Sequence, residues 1–290
     1  MSPKQAPRVV FITGSSSGFG RILVNIALAN GDNVVATLRK PEVLKDLQDH
    51  TPSDRLLVLK VDVTKEDEVL NAFAQAKEKF GRIDVVFNNA GYSITSVVET
   101  TPEDVARTLF ETNFWGAVRV SREAVRFFRD ENPKGSGGRL IVNSSVVGLN
   151  AFQGVGFYSA TKYASEAITQ ALAREVDPSW NIKISIVEPG NFRTEVWGSA
   201  LRLPIPEIYS APTAGYGRAA QLFSLLGSPE FKMGDSHKGT QKVYDLSTLE
   251  NPPLRLVLGQ DAVDSVRGQL EAISADLAAY ESWSADVRED

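Results

Sequence analysis

The chain has 290 residues, 42% of them hydrophobic and 23% charged, which is the composition of an ordinary globular protein rather than a disordered one. It has no cysteine and only two histidines, His50 and His237, which excludes disulfides, a thiol nucleophile and cysteine-ligated zinc; we expect no metal site. The net charge of -5 has the wrong sign for a nucleic-acid-binding surface. The sequence shows neither a signal peptide nor a run of about 18 apolar residues, so we predict a cytoplasmic protein without a membrane span.

Short β-branched runs alternate along the chain with longer segments of helical period. Most of these runs are apolar nearly throughout, as in parallel strands that are covered on both faces. The predicted strands are residues 9–13, 33–38, 56–62, 83–88, 140–145, 182–188 and 254–258. The alternation predicts an α/β fold of the Rossmann type, a doubly wound parallel sheet of about seven strands with helices on both faces. No repeat or linker interrupts the first 190 residues, and we expect residues 1–290 to form a single domain.

Three local signals predict where helices run and end. Apolar residues recur on one helical face at Val69, Phe73, Ala76 and Phe80. Thr101 is predicted to cap a helix whose first position is Pro102. Gly31 is predicted to end the preceding helix in the left-handed conformation. Residues 190–213 form a long irregular stretch, which predicts a substrate-binding loop or lid; a surface excursion is the alternative.

A glycine-rich turn follows the first predicted strand. Residues 13–20 read Thr-Gly-Ser-Ser-Ser-Gly-Phe-Gly, and a helical pattern begins directly after them. Gly14, Gly18 and Gly20 permit a tight turn and a close approach of the backbone to a pyrophosphate. An ordinary strand–helix connection is the alternative, and the position after the first strand favours dinucleotide binding.

The end of the second predicted strand indicates which dinucleotide binds. A free ribose 2′-hydroxyl usually meets an acidic residue about 20 residues after the glycines. Here the strand ends at Leu38 and Arg39, and the arginine can pair with a 2′-phosphate. We therefore expect NADPH/NADP+ rather than NADH, with a simple surface arginine as the alternative interpretation of Arg39.

Later strands end in further polar or small residues. Asp62 ends the third strand and is a candidate to accept a hydrogen bond from an adenine amine, although a solvated strand-end aspartate is as common. Asn89, Ala90 and Gly91 follow the fourth strand, where small residues let the backbone approach a flat ligand. Asn113 lies in the middle of a helix among aromatic residues, and a buried network role competes evenly there with a catalytic one.

Tyr158 and Lys162 are spaced i, i+4 and so share one helix face. Ser145 ends the strand before this helix, which allows a hydroxyl and a phenol to converge. A nearby cation favours the ionised form of a phenol. All the candidate segments follow the carboxyl ends of predicted strands, the edge at which open parallel sheets bind ligands. They are residues 14–20, 38–39, 62, 88–91, 145 and 189–190.

These motifs together resemble the short-chain dehydrogenase/reductase family, from Arg8 to about Ala272. The resemblance is to the shorter single-domain branch, and residues 36–39 and 188–194 look like its 17β-hydroxysteroid and retinol dehydrogenase-like group. It implies that Tyr158 is the general acid/base and that Lys162 holds the nicotinamide ribose and lowers the pKa of Tyr158. It implies further that Ser145 polarises the substrate carbonyl and that Asn113 supports a water-linked proton relay.

The family resemblance also implies a set of cofactor contacts. These are Gly14, Ser16, Ser17, Gly18, Phe19, Gly20, Leu38, Arg39, Asp62, Val63, Asn89, Ala90, Gly91, Lys162, Pro189, Gly190, Phe192 and Thr194. The expected reaction is NADPH-dependent reduction of a ketone or aldehyde, reversible to alcohol oxidation. An NAD-dependent alcohol dehydrogenase is the alternative, and a non-catalytic dinucleotide sensor is a more distant one.

The expected substrate is a small molecule with a carbonyl group, namely a lipophilic or polycyclic ketone or aldehyde. Five aromatic residues are candidates to line its pocket: Tyr92, Phe152, Phe157, Trp197 and Tyr209. The family resemblance implies a homodimer or a homotetramer, and the sequence does not decide the oligomeric state. Alanines recur along the helix after Tyr158, and that face fits either the core or a subunit interface.

Overall fold

A parallel seven-stranded sheet organises the chain in a computed structural model that describes residues 6–194, 200–211, 215, 217 and 233–287. Its strands are β1 (Val9–Thr13), β2 (Asn33–Leu38), β3 (Leu56–Lys60), β4 (Val85–Asn88), β6 (Gly138–Asn143), β7 (Ile182–Pro189) and β9 (Arg255–Leu258). They lie in the order β3-β2-β1-β4-β6-β7-β9. Two short strands, β5 (Ile94–Thr95) and β8 (Leu201–Arg202), pair with each other outside this sheet. The predicted Rossmann-type fold is confirmed.

Helices connect these strands and cover both faces of the sheet. They are α1 (Gly18–Ala29), α2 (Lys45–His50), α3 (Glu66–Phe80), α4 (Glu103–Phe110), α5 (Ala117–Asp130), α6 (Gly156–Glu175), α7 (Glu207–Ser210), α8 (Ser236–Leu246) and α9 (Gln260–Tyr280). Within the described ranges, none of them is both long and apolar enough to cross a bilayer.

The core divides into two layers, one on each face of the sheet. Side chains alternate along β1, so Phe11 packs toward α3 and α5 while Ile12 packs toward α1. The Phe11 ring stacks on Phe73 with 4.3 Å between ring centroids. Both faces of the strand are therefore buried, which explains why its sequence is apolar rather than alternating.

Most predicted elements form where the sequence pattern places them. β1 and β2 have the predicted bounds, and the other strands differ by a few residues at their ends. On α3, Val69, Phe73 and Ala76 are buried, and Gly31 adopts a φ of +90° after α1.

The predicted cap at Thr101 is wrong. Pro102 is the N-cap and α4 begins at Glu103. The Thr101 hydroxyl instead donates to the Val97 carbonyl, at 2.7 Å, and shares a second hydrogen bond with the Ser96 hydroxyl, at 2.8 Å.

One π-helical turn, Glu111–Gly116, lies between α4 and α5 and contains Asn113. The helical backbone continues through this turn, so the mid-helix position predicted for Asn113 is confirmed. Single π-helical turns are frequent at functional sites because the extra residue redirects one side chain. Here the turn places Asn113 behind the loop that follows β4.

Candidate active site

A cavity of about 1300 Å³ opens at the carboxyl edge of the sheet. Residues that follow β1, β2, β3, β4, β6 and β7 all line it. The sequence motifs singled out at strand ends therefore meet at one place. Of the described residues predicted to be catalytic or to bind the cofactor, Gly20 and Asn113 stand outside the cavity lining, and the others belong to it.

The turn after β1 has a conformation that requires glycine. Gly14 and Gly18 have φ values of +66° and +52°, in the left-handed region. A Cβ on Gly14 would lie 2.9 Å from the Ala90 Cα, and one on Gly20 would overlap the Gly14 carbonyl oxygen. Because Gly20 has no side chain, the first turn of α1 can pack closely against Gly14.

The same turn leaves the N-terminus of α1 open to a ligand. Ser17 is the N-cap, and its side chain makes no capping bond within the described part of the chain. The first N–H groups of a helix have no partner inside the helix, and they attract anions. Ser16, Ser17, Gly18 and Phe19 line the cavity here. The turn therefore fits a phosphate group.

Thr13 ties this turn to the loop after β4. Its hydroxyl oxygen accepts hydrogen bonds from the backbone N–H groups of Asn89 and Ala90, both at 2.9 Å. The Asn89 amide donates in turn to the Thr13 carbonyl at 3.0 Å. Asn89, Ala90 and Gly91 line the cavity.

The ends of β2 and β3 form the next part of the wall. Leu38 is buried, Arg39 is exposed, and both face the cavity beside Asp62 and Val63. Asp62 Oδ1 accepts hydrogen bonds from the Thr64 N–H, at 3.0 Å, and the Thr64 hydroxyl, at 2.8 Å. Burial opposes ionisation of Asp62, but these bonds outweigh it and lower its pKa. Asp62 is therefore ionised, with one of its oxygens already engaged.

Tyr158, Lys162 and Ser145 converge on the far side of the cavity. Tyr158 and Lys162 lie on the first turns of α6, and the Lys162 Nζ is 5.8 Å from the centroid of the Tyr158 ring. Lys162 donates a 2.8 Å hydrogen bond to the Asn143 carbonyl. Ser145 follows β6, and its hydroxyl donates to the Pro189 carbonyl at 3.4 Å. The predicted convergence of hydroxyl, phenol and ammonium is present.

Burial governs the ionisation of both helix residues. It raises the pKa of Tyr158 to about 12, against a smaller opposing effect of a hydrogen bond with Ser145. It lowers the pKa of Lys162 to about 8, against the opposing charge of Glu166. The expectation that Lys162 lowers the Tyr158 pKa stays a prediction, because burial is the dominant effect on the phenol in the chain by itself. Tyr158 is consequently protonated at neutral pH.

Asn113 clamps the loop that carries Tyr92. Its amide donates to the Tyr92 carbonyl at 2.8 Å and to the Thr161 hydroxyl at 3.2 Å, and its oxygen accepts from the Tyr92 N–H at 3.0 Å. A Cβ on Gly91 would lie 3.0 Å from Asn113 Oδ1 and 3.9 Å from Lys162 Nζ. Asn113 thus sits one layer behind the cavity, where its side chain makes network contacts, and its part in a proton relay stays a prediction.

The segment after β7 completes the wall with Pro189, Gly190, Phe192 and Thr194. The Phe192 ring is buried and packs edge-on against Phe19, with 5.3 Å between the ring centroids. These residues lie on the same side as the glycine turn.

The candidate substrate aromatics divide into three groups. Tyr92 and Phe152 line the cavity. Phe157 and Tyr209 are wrong as cavity residues, since among the described residues they are absent from the lining, and Tyr209 instead bonds to Glu99. Trp197 lies outside the described residues. In the predicted lid, Ala200 and Arg202 reach the cavity while β8 pairs with β5; residues 195–199 and 212–213 are also outside the description.

Comparison with known proteins assigns the family. The family model for short chain dehydrogenases matches residues 8–202. The chain belongs to the short-chain dehydrogenase family. An oxidoreductase from Schizosaccharomyces pombe is 36% identical over 283 residues, covering 97% of this chain and 92% of that protein. The narrower resemblance to the 17β-hydroxysteroid and retinol dehydrogenase-like group stays a prediction.

Solved structures agree with this assignment. A short-chain dehydrogenase from Streptomyces avermitilis is 34% identical and superposes with a TM-score of 0.86, covering 99% of this chain and 100% of that chain. ElxO, solved with NADP bound, is 26% identical with a TM-score of 0.71, covering 89% of this chain and 99% of that chain.

Sequence reasoning missed several residues that position the site of this short-chain dehydrogenase. Thr13 and Asn143 end strands at the ligand-binding edge, and that position was a usable signal. Asp261 gave no local signal: it lies in the first turn of α9, and its carboxylate accepts from the Asn191 N–H at 2.7 Å. Contacts between residues this distant in sequence require the fold.

Proposed function

We propose that this short-chain dehydrogenase reduces a ketone or aldehyde with NADPH, and in reverse oxidises the corresponding alcohol. One observation carries the proposal. Ser145, Tyr158 and Lys162 line the same cavity as the glycine turn after β1. A proton donor and a site for a dinucleotide phosphate therefore share one cavity.

Tyr158 is the proposed general acid. Its pKa of about 12 keeps the phenol protonated at neutral pH, as proton donation to a developing alkoxide requires. Ser145 orients the carbonyl oxygen toward the phenol, and Lys162 places a positive charge beside the ring. A nicotinamide, when bound, supplies or accepts the hydride. Asn113 keeps the Tyr92 loop in place against this group.

The preference for NADPH rests on the end of β2. The only charged residue that lines the cavity there is the cation Arg39, within the described part of the chain, and Leu38 cannot accept a ribose hydrogen bond. The nicotinamide dinucleotide itself is supported by neighbours of the same fold, including ElxO with its bound NADP. An NAD-dependent alcohol dehydrogenase of the same fold is the alternative.

The proposed substrate has an apolar part that contacts Tyr92 and Phe152. Residues 190–213 are the proposed lid, because Ala200 and Arg202 border the same space. The cavity volume of about 1300 Å³ accommodates a cofactor together with a sizeable carbonyl compound.

A screen of NADPH oxidation over ketones and aldehydes of graded size tests this function. Turnover with at least one apolar carbonyl compound, and weaker turnover with NADH, is the expected result. Tight NADPH binding without turnover across the panel would instead favour a dinucleotide sensor. Turnover that is faster with NADH would support the NAD-dependent alternative.

A further inference from the structure

Two carboxylates lie buried directly behind the catalytic residues. Glu166 is 3% exposed and Glu188 is 0% exposed. A single guanidinium holds both: Arg255 Nη1 is 2.5 Å from Glu166 Oε2 and also contacts Glu188 Oε1. Burial raises the pKa of Glu188 to about 7, and the charge of Glu166 adds to this effect. Buried charges are costly and are retained only with such partners.

This cluster contacts both strand ends that shape the catalytic site. Glu166 Oε1 accepts a 2.5 Å hydrogen bond from the hydroxyl of Ser144, which immediately precedes Ser145. Glu188 immediately precedes Pro189, whose carbonyl accepts from Ser145. Ser145 therefore lies next to one residue that is bonded to this cluster, Ser144, and is hydrogen-bonded to another that directly follows a member of it, Pro189.

Glu166 also stands one helical turn from Lys162. The two residues are spaced i, i+4 on α6 and share a face. The loop after Ser145 rests on this carboxylate, because a Cβ on Gly148 would overlap both Glu166 Oε1 and Ser144 Oγ. Glu166 thus contacts the loop that follows Ser145, and its charge acts on Lys162.

We propose that Glu166 is a positioning residue of this active site. Its carboxylate fixes Ser145 through the Ser144 hydroxyl and supplies the counter-charge that keeps Lys162 protonated, while Arg255 holds it in place. The effect of Glu166 on turnover rests on the proposed reductase function. Its effect on the protonation of Lys162 does not depend on that function.

The charged and titratable groups around these residues determine the direction of the effect. Lys162 faces Tyr158 and Glu166, and Glu166 in addition faces Tyr163, Glu188 and Arg255. Glu166 is the negative charge that opposes the effect of burial on Lys162. Removing that charge therefore lets Lys162 lose its proton at a lower pH.

Two substitutions distinguish the effect of the Glu166 charge from the effect of its hydrogen bond with Ser144, and a third serves as the control. Glu166→Gln retains an amide oxygen for Ser144 and removes the charge. Ser144→Ala removes the hydrogen bond and retains the charge. Glu175→Gln makes the same chemical change at an exposed position of α6 and is the matched control.

The first measurement follows the 13Cε resonance of Lys162 against pH in cofactor-free protein, assigned by its loss in Lys162→Arg. Glu166→Gln is expected to lower the midpoint by about one pH unit, and Glu175→Gln to leave it unchanged. An unchanged midpoint in folded Glu166→Gln overturns the counter-charge role. This result is independent of whether any carbonyl compound is reduced.

The second measurement is the pH profile of reductive kcat and KM. Ser144→Ala is expected to lower kcat about tenfold without moving the profile or the KM for NADPH, a loss of about 1.4 kcal/mol in transition-state binding. Glu166→Gln is expected to shift the alkaline limb to lower pH. A wild-type kcat in Ser144→Ala overturns the positioning role, and does so even if Glu166→Gln fails to fold. Absence of turnover in the wild type contradicts the proposed function alone.

Discussion

The Lys162 ammonium lies 5.8 Å from the centre of the Tyr158 ring and donates a 2.8 Å hydrogen bond to the Asn143 carbonyl. The strand end thus fixes the lysine while leaving the phenol hydroxyl for a substrate. Burial shifts the two pKa values in opposite directions, because it raises the pKa of Tyr158 and lowers the pKa of Lys162. Both shifts follow from the cost of removing a charge from water.

Tyr158→Phe is expected to lower kcat about 100-fold or more, because general acid catalysis typically contributes 10²–10⁴-fold. NADPH affinity is expected to stay within about twofold, since the ring remains and only the hydroxyl is lost. Steady-state kinetics and fluorescence titration of NADPH measure the two effects. Tyr163→Phe, an exposed tyrosine on the same helix, is the control. A wild-type kcat in Tyr158→Phe would remove the phenol from the mechanism.

Arg39→Asp is expected to weaken NADPH binding by about 10- to 100-fold, because hydrogen bonds to a charged group contribute about 1.5–3 kcal/mol. NADH binding is expected to improve, since the new carboxylate can accept from a 2′-hydroxyl. Dissociation constants for both cofactors measure this. Lys40→Asp makes the same charge change at an exposed neighbour. If both variants weaken NADPH equally, the effect is long-range electrostatics and Arg39 makes no specific contact.

Reductive kcat/KM is expected to fall as the pH rises through about 8. The pKa of Lys162 is lowered to about that value, so above it the ammonium loses its charge while Tyr158 stays protonated. The oxidative reaction needs the phenolate and is expected to rise with pH over the same range. Rates measured in both directions from pH 6 to 10 test this. A reductive rate that stays constant from pH 7 to pH 9 would contradict the role of the Lys162 charge.

Glu188 is expected to make stability depend on pH below neutrality. Its pKa is raised from 4.5 to about 7, so the folded state binds more protons than the unfolded state between these values. The stabilisation is complete below about 4.5 and is lost as the pH rises through about 7. Glu188→Gln is expected to flatten this slope in denaturant titrations, and Glu175→Gln to preserve it. An unaltered slope in Glu188→Gln would assign the dependence to another group.

The fold and the edge of the sheet that forms the site could be predicted because they depend on local patterns. The bounds of β1 and β2 follow from strands that are apolar on both faces. The strand-end motifs then meet because parallel strands share one carboxyl edge. The prediction that Thr101 caps α4 was wrong for a local reason as well, because its hydroxyl is hydrogen-bonded to Ser96 and Val97.

The parts that could not be predicted depend on side-chain direction and on contacts far apart in sequence. Phe157 is adjacent to Tyr158 on α6, so the helix turns it to another face and away from the cavity. Glu166 and Arg255 are separated by 89 residues, and only the packed sheet brings them together. A charged residue near the end of an apolar strand, as Glu188 is, was a signal available from sequence.

The Thr13 hydroxyl has a consequence for how a dinucleotide enters. It accepts hydrogen bonds from the N–H groups of both Asn89 and Ala90, and these bonds join the turn after β1 to the loop after β4 in the ligand-free chain. A receptor that is already in its bound shape loses little conformational entropy on association. Affinity for the dinucleotide is then set by the contacts it makes, and Thr13→Val, which keeps the side-chain shape, would reintroduce an ordering cost that weakens binding.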